Sequence, residues 1–187
     1  FKANHRKVVV SEKSLLVTSA NPHSASSAHW NAALRIDEAG QDLACVAESA
    51  IMRMSGSDAF MPNAGVSSSP PSMVAGDIDP PGRYKLELLT EGKIKDKVLE
   101  LLNGAKEDDS INLAMFYFSD RDVINALIKA WKRGCNIRVI LDPNKDAFGR
   151  TKNGIPNRQT AAKLVRAGVP VRWADTHGEQ FHVKMLH

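Results

Sequence analysis

The sequence has few cysteines and no long apolar run. Its 2 cysteines, Cys45 and Cys135, lie in apolar surroundings without metal-ligand spacing, so we expect buried thiols and no thiolate metal site. No stretch approaches the roughly 20 apolar residues that cross a bilayer. Residues 1–5 lack the charged, apolar and cleavable pattern of a signal peptide. The chain opens directly into a strand-like run, from which we expect further residues upstream, with any membrane anchor or export signal among them.

The composition is that of a globular protein with an uneven charge. With 43% hydrophobic and 25% charged residues, the chain can bury one core or two small ones, which excludes global disorder. The net charge of +4 combines an acidic stretch, residues 37–79, with basic stretches at 1–36 and 121–173. A positive field of this kind attracts lipid phosphate or nucleic acid. The alternative is that these Lys and Arg side chains lie on the solvated faces of helices.

From residue 86 onward, apolar strand-like runs alternate with helical periods. We predict strands at Leu86–Leu89, Ile111–Phe118, Ile137–Leu141, Val171–Trp173 and Phe181–Leu186. We predict helices with apolar faces at Ile94, Val98, Leu101 and Leu102, at Ile124, Leu127, Ile128 and Trp131, and within 157–167. The second helix has Ser119 or Asp120 as its N-cap and Gly134 as its left-handed C-cap, and the segment from Asp142 to Pro156 is a predicted loop. This alternation favours βαβ units and a largely parallel sheet.

The first part of the chain is predicted to be a separate, β-rich half. We predict strands at Val8–Val10, Leu15–Val17 and 32–36, a tight connection near Lys13, and a helix at 41–54. Residues 55–83 are rich in Gly, Ser and Pro, which is typical of a linker. We therefore divide the chain into a first half, residues 1–55, a linker, residues 56–85, and a second half, residues 86–187.

Two His-x-Lys tripeptides carry the candidate chemistry: His5-Arg6-Lys7 and His182-Val183-Lys184, each opening a predicted strand. Residues two apart share a face of a strand, so each imidazole and its ammonium group are expected to point the same way. Ser19 and Asn21 follow a neighbouring strand and can add a hydroxyl and an amide to the first cluster. A proton carrier, a fixed positive charge and neutral donors are what binding and cleaving a phosphodiester require. A core histidine is the alternative for either motif.

These residues resemble the signature of the phospholipase D superfamily: His, any residue, Lys, four residues, Asp, and then a Gly/Ser-Ser-any-Asn stretch. The first motif is similar to it at residues 5–12 and 18–21. The second half resembles the same superfamily along its length, at residues 88–91, 116–118, 133–134 and 181–184. The similarity is greatest to bacterial cardiolipin-synthase-like and phospholipase-D-like proteins.

The resemblance implies an α/β sandwich of the phospholipase D type, with a mixed, largely parallel sheet flanked by helices and two pseudo-symmetric halves, both incomplete in this chain. It implies a phosphodiesterase or phosphatidyltransferase that acts on phospholipids at a bacterial membrane surface through a covalent phosphohistidine, without a metal or other cofactor. His5 is then the nucleophile and His182 the general acid. The implied site residues are His5, Lys7, Glu12, His182 and Lys184 for catalysis, with Ser19 and Asn21 for substrate binding. The alternatives are a nuclease of the same superfamily, which would bind nucleic acid, and a catalytically inactive phosphate-binding scaffold.

Two departures from the family pattern qualify this resemblance. Glu12 stands where the family has Asp, one methylene longer. The second motif stops at His187 before its acid and its Ser/Asn stretch, so we expect the missing parts of the fold to come from the rest of the parent chain. Three other polar residues have two interpretations: His23 and His29 either rim the site or are loop histidines, and Asp142 either joins the site or caps a loop.

Overall fold

The structure, a computed structural model, describes residues 5–11, 13–37, 44, 48, 87–90, 92–143, 146–147, 150–151 and 156–187. Contacts divide the chain into two compact units. The first comprises Phe1–Thr18 and Ala33–Leu89, and the second comprises Ser19–Ala32 and Thr90–His187. The segment Ser19–Ala32 therefore belongs to the C-terminal unit, although it connects two strands of the first. The division into halves at 1–55 and 86–187 stays a prediction.

The first unit contains an antiparallel three-stranded sheet. Its strands are β1 (Val8–Val10), β2 (Ser14–Thr18) and β3 (Ala33–Asp37), in the order β1-β2-β3. The three predicted strands are confirmed. The tight connection is confirmed as well, because the Ser11 N–H donates to the Ser14 carbonyl oxygen at 2.9 Å. Leu15, on the central strand, is buried.

Little of the predicted helix at 41–54 is described. Ala44 and Glu48 are both helical, and Glu48 pairs with Arg6 at 3.4 Å between Oε1 and Nη1. The other residues of that helix, together with the predicted linker at 56–85, lie outside the described residues.

The second unit is an α/β domain built around a mixed four-stranded sheet. In chain order its helices and strands are α1 (Gly92–Gly104), β4 (Ser110–Met115), α2 (Arg121–Lys132), β5 (Asn136–Leu141), β6 (Asp146–Ala147), β7 (Arg150–Thr151), α3 (Pro156–Arg166), β8 (Val171–Trp173) and β9 (Lys184–Leu186). A 3-10 helix spans Ser24–Ala28. The sheet has the order β8-β5-β4-β9, in which β4, β5 and β8 are parallel and β9 is antiparallel to β4. The predicted mixed, largely parallel α/β architecture is confirmed.

The core of this unit lies on one face of the sheet, because apolar residues alternate along its strands. In β5, buried Val139 lies between exposed Arg138 and exposed Ile140. Each of the three helices adds a fully buried leucine to the same core cluster: Leu102, Leu127 and Leu164. Burying one such side chain contributes about 1.5–3 kcal/mol. The shared core therefore fixes the helices on the sheet and with them the ends of β4 and β5.

Local signals set the ends of α2, as predicted. The Asp120 side chain is the N-cap and accepts hydrogen bonds from the backbone N–H groups of Asp122 and Val123, at 3.0 and 3.1 Å. After the helix, Gly134 has φ 95°, a left-handed conformation that favours glycine. The buried thiol is also confirmed for Cys135, which is 2% exposed, whereas Cys45 lies outside the described residues.

At the start of the second half, one prediction is wrong and another is confirmed only in part. Residues 87–89 are not in a strand but lead into α1, where the Thr90 carbonyl oxygen accepts the Lys93 N–H at 3.2 Å. A short apolar run does not by itself distinguish a strand from other extended backbone. Of the predicted apolar face on α1, Leu102 is buried and Val98 packs against the core, whereas Ile94 and Leu101 are exposed.

Two further predictions need new boundaries. The predicted loop from Asp142 to Pro156 includes the paired strands β6 and β7. The last strand begins at Lys184 and not at Phe181, because Phe181 forms an isolated parallel bridge with Trp30 before the ladder with β4 begins.

Candidate active site

His182 lies in the second unit, two residues before β9. Its backbone N–H donates to the Trp30 carbonyl oxygen at 2.8 Å. The Trp30 N–H donates in turn to the Gln180 carbonyl oxygen at 2.8 Å. The segment Ser19–Ala32 is thereby hydrogen-bonded along the backbone that leads into the second motif.

Three consecutive backbone N–H groups in front of β9 have fixed acceptors. The N–H of residue 180 donates to His29 Nδ1 at 3.0 Å, and that of residue 181 donates to Asp142 Oδ2 at 2.6 Å. The N–H of residue 182 donates to the Trp30 carbonyl oxygen at 2.8 Å. Asp142 is 2% exposed and directly follows β5. Of the two interpretations of Asp142, the structure favours the one that places it at the site, because its carboxylate binds the N–H of Phe181, the residue next to His182.

The His182 ring is oriented by two oxygen atoms. Its Nδ1 lies 2.9 Å from the Ser19 carbonyl oxygen and 3.3 Å from Asn31 Oδ1. The Asn31 amide orientation follows from its Nδ2, which donates to the carbonyl oxygens of Ser26 and His29 at 2.9 and 3.1 Å. Because both oxygens facing Nδ1 are acceptors, Nδ1 carries a hydrogen, and in the neutral ring Nε2 carries the lone pair.

Phe116 brings the imidazole and the ammonium group of the second motif to one surface. The Phe116 and His182 rings are 4.7 Å apart between centroids, with 61° between their planes. Lys184 Nζ lies 5.3 Å from the centroid of the same Phe116 ring and donates to the His182 carbonyl oxygen at 2.9 Å. A cation over an aromatic face contributes about 0.5–1 kcal/mol at an exposed site. The lysine is therefore held beside its own histidine although His182 precedes the strand.

A buried amide supports the backbone under this site. Asn157, on α3, is 0% exposed. Its Nδ2 donates to the carbonyl oxygens of Phe116 and Asp142 at 2.7 and 3.0 Å, and its Oδ1 accepts the Phe118 N–H at 2.8 Å. One side chain thus joins the ends of β4 and β5, which carry the ring and the carboxylate that contact the second motif.

Glu179 fixes the exposed Trp30 side chain next to these residues. The Trp30 Nε1–H donates to Glu179 Oε1 at 2.8 Å, and the His177 N–H donates to Glu179 Oε2 at 2.9 Å. The hydrogen bond from Trp30, followed by those from backbone N–H groups, lowers the pKa of Glu179 below its ordinary value. Glu179 is therefore a carboxylate at neutral pH.

The first motif lies in the first unit. His5 is exposed, and Lys7 Nζ donates to the His5 carbonyl oxygen at 2.7 Å. Burial lowers the pKa of Lys7 from its ordinary value. The Lys7 carbonyl oxygen accepts the Thr18 N–H at 3.0 Å, next to the pairing of β1 with β2. Glu12 lies outside the described residues.

The lysine makes the same local contact in both motifs. In each unit the motif lysine donates to the carbonyl oxygen of the histidine two residues earlier, at 2.7 Å for Lys7 and 2.9 Å for Lys184. The two tripeptides thus share a local geometry as well as a sequence pattern.

The structure places Ser19 and Asn21 in the second unit. Ser19 Oγ donates to Asn31 Oδ1 at 3.0 Å and accepts the Ala32 N–H at 3.0 Å. The Asn21 N–H donates to Ser26 Oγ at 3.1 Å. Sequence analysis expected Ser19 beside the first motif, and within the second unit its carbonyl oxygen contacts His182.

Asn31, Phe116 and Asn157 were missed as site residues. Phe116 lies in the apolar run that is predicted to be a buried strand, whereas a single Asn in a polar segment carries no local signal.

Within the part of the chain that the structure describes, no group of three His, Cys, Asp or Glu side chains could hold a metal ion. No helix among the same residues is long and apolar enough to cross a membrane.

Comparison with known proteins identifies the C-terminal part of the chain. Residues 98–187 match the family model described as cardiolipin synthase, PLD-like domain. The resemblance seen in the sequence is thereby confirmed for this part.

A solved structure is also similar to part of the chain. It is a crystal structure of a phospholipase D family member, Nuc from Salmonella typhimurium, with 24% sequence identity and a TM-score of 0.41. The match covers 49% of this chain and 55% of that one, so the chain spans about half the length of the protein it matches. A search among curated proteins gives no match.

Proposed function

We propose that the complete protein cleaves or transfers phosphodiesters of phospholipids, with His182 and His5 as its two catalytic imidazoles. The orientation of His182 carries this proposal: its Nδ1–H points to the carbonyl oxygen of Ser19 at 2.9 Å, which presents Nε2 as the reactive nitrogen. His182 lies within residues 98–187, which match the PLD-like domain model, and beside a lysine that can neutralise a phosphate oxygen.

The reaction proceeds in two displacements. Nε2 of His5 attacks phosphorus, a P–N bond forms, the P–O bond to the leaving alcohol breaks, and His182 donates its Nε2 proton to that oxygen. Water or an acceptor alcohol then gives its proton to His182 and attacks phosphorus, and the P–N bond breaks. The oxygens of Ser19 and Asn31 suit His182 as the acid, because they stabilise its imidazolium through the Nδ1–H.

The lysines and the polar residues have supporting roles in this proposal. Lys7 and Lys184 neutralise the nonbridging phosphate oxygens, while Ser19 and Asn21 bind the substrate and Glu12 orients the first motif. The description of the matched family as cardiolipin synthase favours a phospholipid over a nucleic acid. We accordingly propose a bacterial protein that works at a membrane surface, with the remaining parts of the fold supplied by the rest of the parent chain.

The test is an assay of the complete protein on four substrates: vesicles of phosphatidylglycerol, vesicles of phosphatidylcholine, single-stranded DNA and double-stranded DNA. His5→Ala and His182→Ala should each lower turnover of phospholipid by about 10²- to 10⁴-fold, because each removes a proton carrier or nucleophile. His23→Ala is the matched control, since His23 is exposed and lies in the same unit as His182. It should retain the turnover of the parent.

Three outcomes would contradict the proposal. Near-normal turnover in either alanine variant would remove the two-histidine mechanism. Cleavage of DNA without cleavage of phospholipid would indicate a nuclease. Binding of phosphate without turnover of any substrate would indicate an inactive scaffold.

A further inference from the structure

His29 makes an unusual hydrogen bond close to the candidate catalytic histidine. Its Nδ1 accepts the backbone N–H of Gln180 at 3.0 Å. Gln180 is 6% exposed and lies two residues before His182. A buried backbone N–H that loses its acceptor costs about 1–3 kcal/mol, so this contact has a substantial structural role.

The contact defines the tautomer of neutral His29. A backbone N–H can only donate, so Nδ1 of His29 must carry a lone pair. In the neutral ring the hydrogen is therefore on Nε2. This is the opposite tautomer to neutral His182, whose Nδ1 faces two acceptor oxygens. A second proton on His29 would place an N–H group against the N–H of Gln180 and break the contact.

His29 is linked to His182 in two ways. Through its side chain it holds Gln180, in the same stretch of backbone as the His182 N–H. Through its own carbonyl oxygen it accepts Asn31 Nδ2 at 3.1 Å, and Asn31 Oδ1 lies 3.3 Å from His182 Nδ1. One residue thus contributes both to where the His182 backbone lies and to how its ring is turned.

We propose that His29 is a positioning residue for His182 and acts as a neutral acceptor through Nδ1. The catalytic part of this inference rests on the function proposed above. In this role His29 touches neither substrate nor the reacting atoms. Its contribution is to keep Nε2 of His182 in a productive position, where a displacement of about 1 Å can lower the rate about 100-fold.

Two variants of similar size distinguish the acceptor from mere bulk. In His29→Asn the Oδ1 atom can occupy the position of Nδ1, because both atoms are bonded to Cγ. In His29→Gln the amide lies one bond further out and cannot accept from Gln180 in the same way. His29→Ala removes the acceptor altogether, and His23→Asn, at an exposed histidine of the same segment, is the control.

The measurements are steady-state kinetics on phospholipid vesicles, ¹⁵N NMR of the imidazole nitrogens in alkaline buffer, and hydrogen exchange of the Gln180 amide. We expect Nδ1 of His29 to lack a proton. We expect kcat to fall about 10- to 100-fold in the Gln and Ala variants with little change in KM, and to stay near the parent value in His29→Asn and His23→Asn. Exchange of the Gln180 amide should become about tenfold faster in the Gln and Ala variants only.

Two results would overturn the inference: a protonated Nδ1 on His29 in alkaline buffer, or kinetics and exchange in His29→Gln equal to those of the parent. If the complete protein turns over no substrate, the proposed function fails. The tautomer of His29 and the exchange of the Gln180 amide then still test whether His29 acts as the acceptor of the Gln180 N–H, because neither measurement requires a reaction.

Discussion

Replacing Asn157 tests whether the candidate active site depends on one buried amide. In Asn157→Ala the Phe118 N–H loses an acceptor at 2.8 Å, and the carbonyl oxygens of Phe116 and Asp142 lose a donor at 2.7 and 3.0 Å. Each lost hydrogen bond costs about 1 kcal/mol, and the buried N–H adds a desolvation penalty. We expect the free energy of unfolding to fall by about 3–5 kcal/mol, against a total of about 5–15 kcal/mol for a typical domain.

A second substitution tests the direction of the donors. Asn157→Asp keeps the size of the side chain but places a carboxylate oxygen against the two carbonyl oxygens that Nδ2 now contacts. A buried charge facing two acceptors should be at least as destabilising as alanine. Urea unfolding followed by far-UV circular dichroism measures both variants. The matched control is Asn125→Ala on α2, where an exposed side chain is lost and the expected change is within about 0.5 kcal/mol.

Two results would contradict a supporting role for Asn157. A loss of less than about 1 kcal/mol in Asn157→Ala would show that water or a rearranged side chain satisfies the Phe118 N–H. An Asp variant as stable as the parent would show that the amide does not donate to the two carbonyl oxygens. Either result would separate Asn157 from the support of the site.

Three other predictions concern pH, a helix cap and metal ions. Because the pKa of Glu179 is lowered in the folded state, its contribution to stability is present above the ordinary value of 4.5 and is lost as pH falls through the lowered value. The Trp30 indole N–H resonance should therefore titrate below pH 4.5 in the parent and should not titrate in Glu179→Gln. A midpoint at or above 4.5 would contradict this. Asp120→Ala should lower the free energy of unfolding in urea by about 1 kcal/mol because α2 loses its N-cap, whereas Asp120→Asn should change it by no more than about 0.5 kcal/mol. Equal losses in the two variants would assign the effect to the ion pair between Asp120 and Lys95. Dialysis of the complete protein against a chelator should leave turnover unchanged, because the proposed mechanism takes its positive charge from Lys7 and Lys184. A loss of turnover that a divalent ion restores would refute this.

The elements that the sequence predicted well are those with local causes. Helix α2 carries its cap at Asp120, its apolar stripe through Leu127 and its glycine at Gly134 within one short stretch of chain. The alternation of β5 likewise separates buried Val139 from exposed Arg138 without reference to other elements. In both cases the period of the pattern matches the period of the backbone.

The candidate site was predicted only in part, because its geometry depends on contacts between distant residues. The His-x-Lys pattern identified His182 and Lys184, but the oxygens that orient the imidazole belong to Ser19 and Asn31, 163 and 151 residues away along the chain. No periodicity records such a contact. Asn157 shows the same limit, since an Asn at the start of a helix has the sequence of an ordinary cap although the structure buries it against two strand ends.

The long-range attachment of Ser19–Ala32 affects the order in which the protein is assembled during synthesis. Strands β1, β2 and β3 all lie within residues 8–37, so their sheet can form early on the ribosome. The segment between β2 and β3, however, must await Gln180, which follows His29 by 151 residues. At about 5–20 residues per second, this interval is on the order of 8–30 s. A nascent chain therefore holds an incomplete connection between two finished strands until the backbone around Gln180 emerges, and the His182 imidazole is oriented only after that point.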